Sequence, residues 1–312
     1  MIRTQDLTRC FGNFTAVEKL SLEVGEGEIF GFLGPNGAGK TTTIRMLCGL
    51  IAPSSGQAWV ANHQVGAENE KVRQAVGLLT ESPGLYELLN AWDNLLFYAR
   101  LYQLPADDAK KRVEEVLKWL DLWQWRKDPV GSFSKGMKQK LAIGRTLLHR
   151  PQVLFLDEPT ASLDAEAAHT IREAIVALKN TRRTIFLSTH NLDEAERLCD
   201  RIAIFKKNLI QVDSPAQLRR RFGVEGRRII VRLRPPVPEN LTATLQKLPF
   251  VLSAEWQPET EGNLQVTLTN PENENPALIR HLVQAGAEIC FVEEQTATLE
   301  EVYLSLVTLN RD

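Results

Sequence analysis

"GFLGPNGAGKTTTIRML", residues 31–47, decides the fold. The apolar run Ile29–Leu33 that leads into it is long enough for a buried strand. Gly34–Thr41 fits G-x-x-x-x-G-K-[ST], the loop that wraps a phosphate chain. Gly34, Gly37 and Gly39 let the backbone turn sharply, so that amide N–H groups, with Asn36 among them, face inward. The helix that follows adds the partial positive charge of its N-terminus. Lys40 is placed to reach the β/γ-phosphates and the Thr41 hydroxyl to ligate Mg²⁺; Thr42 and Thr43 fall in the first helical turns. An ordinary glycine-rich turn is the alternative. The order strand, loop, Lys-Thr, helix favours a bound nucleotide.

Outward from this segment, patterns alternate. "CFGNFTAV" is a turn inside the strand-like residues 2–24, "APSSG" breaks the chain after the helix, and "QAWVANH" is expected to be one further strand. The helix after the loop is expected to run to about Leu50. Residues 90–150 are mostly helical in pattern, and 151–213 return to strand–helix alternation, which implies an α/β core with a helical insertion at about 88–150. Composition shifts near Phe222–Arg228. Beyond it the expected order β-α-β-β-α-β, with a last helix "TLEEVYLSLV", suggests a small α+β, ferredoxin-like appendage over 225–312. The amphipathic pattern of that helix suggests a dimer contact.

A net charge of −2 gives no support for nucleic-acid binding through a basic field. Cys10, Cys48, Cys199 and Cys290 show no metal-ligand spacing and are expected to be reduced thiols of a cytosolic protein. No apolar run has the length of a membrane span, and the N-terminus has no apolar signal core.

Three more segments carry chemistry. "VLFLDEPTASLD" sends an apolar strand into Asp157 and Glu158; beside a phosphate loop the first acid suits Mg²⁺ and the second suits a general base. "TIFLSTH" delivers His190 at a strand end, where an imidazole could contact the γ-phosphate, although a solvated loop histidine would fit the residue taken alone. "FSKGMKQKLAIGRTLLHRP" places Ser134 at an N-cap with Gly136 close behind, a second anion-accepting helix start.

Phosphate loop, Ser-x-Gly helix start, acid-terminated strand, "SLD" and strand-end histidine stand in the order found in ATP-binding cassette (ABC) ATPases, which residues 2–220 resemble. "LTRCFGNFTAV", "SPGLYELLNAWDNL", "FSKGMKQKLAI" and "LEEVYLSL" are most similar to the drug-resistance and ABC-2 exporter branch. The resemblance implies a RecA-like P-loop NTPase core with an antiparallel β subdomain and a helical insertion: a nucleotide-binding domain over 1–222, followed by the accessory domain. It implies that Phe11 stacks on adenine, that Gly34–Thr42 hold the phosphates, and that Glu81 stands where many relatives have a Mg²⁺-sensing Gln. Ser134, Lys135, Gly136 and Met137 match the signature L-S-G-G-Q, from which Lys135 and Met137 depart. Asp157 is then the Mg²⁺ acid, Glu158 the base, Asp164 the D-loop acid and His190 the switch histidine.

The mechanism so implied is an ATP sandwich. Two copies would enclose two ATP molecules and drive an ABC-2-type permease, with the protein peripheral on the cytoplasmic face of the membrane. Segment 88–150 and the loop around Glu81 would meet that permease. Trp92, Leu95 and Tyr98 could line the groove, although their helical spacing suits a core equally. An importer subunit and a non-transport ABC ATPase are the alternatives.

Overall fold

A computed structural model describes residues 1–179, 182–222, 227–238, 240–257, 262–295 and 298–309. The chain divides into two compact units, Met1–Pro215 and Ala216–Asp312.

The first unit begins with the hairpin β1 (Ile2–Phe11) and β2 (Phe14–Val24), turned at Gly12 and Asn13. β3 (Ile29–Leu33) leads through the phosphate loop into α1 (Lys40–Leu47). That helix stops three residues short of the expected Leu50, because Gly49 takes φ 65° and ends it. "QAWVANH" is a hairpin rather than one strand: β4 (Ser55–Val60) and β5 (His63–Gln64) meet at Ala61 and Asn62, both at positive φ. α2 (Asn69–Ala75) and β6 (Val76–Leu79) follow. The insertion holds α3 (Ala91–Leu101), α4 (Ala106–Trp119) and α5 (Lys135–Leu147). β7 (Val153–Asp157), α6 (Ala165–Lys179), β8 (Thr184–Thr189), α7 (Leu192–Leu198), β9 (Arg201–Lys206) and β10 (Asn208–Asp213) complete the core.

Two sheets result. One is antiparallel, β2-β1-β4-β5; the other runs β10-β9-β3-β8-β7-β6, parallel except for β10. Every residue of β3, β7 and β8 is buried, as parallel strands covered on both faces require. Phe30, Phe32, Phe155, Phe186 and Phe205 pack within one apolar cluster with residues of β1, β2 and α1. The helical insertion has its own core, which includes Leu95, Val113, Val116, Leu117 and Leu141. Of the three candidate groove residues, Leu95 belongs to this core, and Trp92 and Tyr98 pack on it half-buried.

α8 (Pro215–Phe222) spans the division between the units. The second unit is β11 (Arg227–Arg234), α9 (Leu241–Leu245), β12 (Val251–Trp256), β13 (Asn263–Leu268), α10 (Pro271–Gln284), β14 (Glu288–Gln295) and α11 (Leu299–Leu309). Its antiparallel sheet has the order β12-β13-β11-β14, the arrangement of a ferredoxin-like fold. Leu299, Val302 and Leu306 of α11 are buried within the chain itself, so the apolar stripe on which a dimer contact was expected is already covered.

Candidate active site

β3, β7 and β8 are parallel neighbours, so their carboxyl ends meet at one edge of the sheet, where α/β folds gather ligands. Leu33 lies opposite Thr189, and Asp157 opposite Ser188. That register brings together residues 34–41, 157–158 and 190. Asn36 and Gly37 form the exposed crest of the loop. Gly34 passes so near β9 that a Cβ would stand 2.2 Å from the carbonyl oxygen of Phe205. Gly39 takes φ 104° and would set a Cβ 2.3 Å from the carbonyl oxygen of Ala16. A side chain at either position would push the loop off the sheet. Gly39 caps α1 without a side-chain bond, so the N–H groups of Lys40, Thr41 and Thr42 point out of the helix end.

Lys40 is buried, and its three donors have three partners. Nζ donates to the carbonyls of Gly34 at 2.7 Å and Pro35 at 3.2 Å, and forms an ion pair with Glu158 Oε1 at 3.1 Å. The other Glu158 oxygen lies 2.9 Å from His190 Nδ1; a carboxylate only accepts, so Nδ1 carries the proton. Glu158 has φ 50°, left-handed for a residue with a side chain, a strain of about 1–3 kcal/mol of the kind found at working sites. The Thr41 hydroxyl donates to Asp157 Oδ2 at 2.7 Å, and the Ser188 hydroxyl donates to Asp157 Oδ1. A hydroxyl and a carboxylate are the hard oxygen ligands that suit Mg²⁺. Among the described residues there is no cluster of three or more His, Cys, Asp or Glu for a metal, but Mg²⁺ needs none when substrate phosphates and water fill its shell.

Ser134 caps α5, its Oγ accepting from Met137 N at 3.2 Å. Gly136 lies against the start of α6, where a Cβ would be 2.9 Å from that of Ala167. Asp164 caps α6 through Ala167 N at 2.8 Å, so the signature and the D-loop acid begin adjoining helices. Lys135 opens α5 in ordinary helical conformation, and Met137 packs on the core of the insertion. Phe11 is 47% exposed at the hairpin tip, with the Arg9 guanidinium 4.4 Å from its ring centre. Glu81 is exposed, two residues beyond the end of β6, which pairs with the strand that carries Asp157.

Four contributors were not apparent from sequence. Ser188 anchors Asp157; its signal was the pair of small polar residues that closes an otherwise apolar strand. Gln139 donates to the carbonyl of Pro159 at 2.6 Å, tying α5 to the residue after Glu158. The Thr160 hydroxyl donates to Glu194 Oε1 at 2.7 Å. Burial holds the Glu194 carboxyl above the usual glutamate range, against the lowering effect of that hydrogen bond.

Away from this edge a cleft of about 770 Å³ opens between α2, the α3–α4 connection and the end of α5. Arg73, Tyr102, Lys111, Arg112, His149 and Arg150 line it, and the Tyr102 and His149 rings stack at 3.9 Å.

Residues 17–161 match the family model described as ABC transporter. Over 307 residues, 98% of both chains, the protein is 32% identical to the linearmycin resistance ATP-binding protein LnrL of Bacillus subtilis. The chain belongs to the ATP-binding subunits of ABC transporters. Within this family it is also 42% identical to the bacitracin transport ATP-binding protein BcrA of Bacillus licheniformis, over 69% of this chain and 70% of that one. A solved ATP-binding subunit of an ABC transporter superposes with TM-score 0.64 at 31% identity, covering 72% of this chain and 94% of the other. The protein is thus an ABC-type ATPase that binds and hydrolyses ATP. Among the described residues, no helix is long and apolar enough to cross a membrane.

Proposed function

We propose that this protein powers export through a separate ABC-2-type permease and works as a dimer that sandwiches two ATP molecules. One observation carries the proposal: near full-length similarity to a resistance protein, in a chain whose described helices do not span a membrane. The relative that matches over the cassette is a bacitracin transport protein, which also favours export over import. The sandwich is favoured by two anion-accepting helix starts, at Lys40 and at Ser134, in a chain with one phosphate loop. One would serve the chain's own nucleotide, the other its partner's.

In this reading Lys40 and the loop amides hold the β- and γ-phosphates, and Phe11 stacks on the base. Glu158 accepts a proton from water as the water oxygen attacks the γ-phosphorus and the bond to ADP breaks. His190, hydrogen-bonded to Glu158, orients that carboxylate. Thr41 and Asp157, with Glu81 beside them, would hold Mg²⁺, which neutralises phosphate charge when bound. Asp164 keeps the D-loop in place through its cap. The cleft beside Tyr102 and His149, together with the loop after Glu81, would receive a helix of the permease on the cytoplasmic face.

The test is to tag Glu158→Gln, trap it with ATP, solubilise membranes gently and identify what co-purifies by mass spectrometry. A polytopic membrane protein in near-equal amount is expected. Ribosomal or only soluble partners would sink the transporter reading.

A further inference from the structure

α5 carries two basic residues seven positions apart, Lys138 and Arg145, a spacing that places both on one face of the helix. Both reach the same loop. Lys138 Nζ pairs with Glu87 Oε1 at 2.6 Å. Arg145 Nη1 donates to the carbonyls of Pro83 at 2.7 Å and Gly84 at 2.9 Å, and its guanidinium lies 5.0 Å from the Tyr98 ring centre. The loop is stiff in its own right. Asn94, fully buried, accepts from Tyr86 N and donates to the carbonyls of Tyr86, Leu89 and Asn90. The N–H groups of Val130 and Gly131 donate to the carbonyls of Leu89 and Glu87. Residues 83–90 are therefore fastened to the helical insertion, while β6 belongs to the core sheet, and residues 80–82 join the two. At the tip of the loop Leu88 is 97% exposed.

The other end of α5 is the Ser134 cap, and Gln139, next to Lys138, holds the carbonyl beside Glu158. One rigid helix thus touches the second anion site, the segment of the catalytic acid and the exposed loop. We infer that α5 is a strut in which Lys138 and Arg145 are positioning residues, making the loop 83–90 follow the Ser134 end when a phosphate of the partner copy is bound there. The inference rests on the ATP-sandwich reading above.

Magnitude separates this role from a merely structural one. The Lys138 and Glu87 side chains are 24% and 65% exposed, and ion pairs this wet contribute little to folding. Asn94 already holds the shape of the loop. Lys138→Ala should therefore leave the fold intact and loosen the link.

The experiment is hydrogen exchange followed by mass spectrometry on the full-length Glu158→Gln protein, with and without Mg-ATP, with light scattering to record dimerisation. ATP should change exchange in 83–90 by about two- to fivefold, the scale of one exposed ion pair. Lys138→Ala in that background should dimerise yet lose the change, and the swap Glu87→Lys with Lys138→Glu should regain it. A Lys138→Ala protein that dimerises and keeps the full loop response would overturn the strut, as would a dimerising parent whose loop does not respond or a dimerising swap that regains nothing. A parent that never dimerises with ATP would overturn the sandwich, and the strut with it.

Discussion

Glu158 holds a left-handed backbone between a lysine at 3.1 Å and a histidine at 2.9 Å. Glu158→Gln keeps the shape of the side chain and removes its basicity. Turnover should fall about 10²–10⁴-fold, the usual worth of a general base, while ATP binding persists; unchanged turnover in a steady-state assay would remove Glu158 from that role. Glu194 makes a second prediction at this scale. Its carboxyl is held above the ordinary range by burial, so the folded chain keeps a proton that the unfolded chain has released. The stability this group contributes is fully present below the unfolded value of about 4.3 and is lost as pH rises through the higher folded value. Glu194→Gln escapes that loss. Its melting temperature relative to the parent should be nearly unchanged at low pH and should climb toward pH 8; a gap that stays flat with pH would contradict the buried acid.

At the scale of elements, the phosphate loop and the sheet are fitted backbone against backbone. Gly39 combines φ 104° with a neighbouring carbonyl 2.3 Å from where a Cβ would go. Gly39→Ala should cost about 2 kcal/mol and lower the melting temperature by roughly 4–8 °C, with loss of ATP binding because the loop amides move. A variant that melts with the parent would mean that the loop yields at no cost. The cleft lined by Tyr102 and His149 has the same origin: it opens where α2, the α3–α4 connection and the end of α5 meet.

At the scale of the molecule, each unit has a core of its own. The first packs its phenylalanines with residues of β1, β2 and α1, and the second closes Ile229, Val231, Leu264, Val266, Leu278 and Leu282 into a separate cluster. A chain cut after Gly223, a point outside the described residues, should therefore fold and melt cooperatively. Circular dichroism would show this, and a broad, non-cooperative melt would mean that the first unit depends on the second. The burial of Leu299, Val302 and Leu306 takes from α11 the free apolar face that a dimer contact would need, so the cut carries no expectation about dimerisation.

The sequence by itself determined the class of fold and the local chemistry. A loop spacing, an acid-terminated apolar strand and a Ser-x-Gly helix start are contiguous segments, and short-range sterics and capping write them directly into residue order. The β-α-β-β-α-β order of the second unit was legible for the same reason, since each element has its own period. Element ends were less legible: positive φ at Gly49, Ala61 and Asn62 overrode the apolar pattern. What only the tertiary structure decided is which distant groups meet. Parallel register carried Lys40, Glu158 and His190 to one edge. Ser188 on Asp157, Thr160 on Glu194, Gln139 on Pro159 and Lys138 on Glu87 join residues 20 to 51 positions apart. Such hydrogen bonds have no period and leave no local mark, because the partner is supplied by packing rather than by neighbours along the chain.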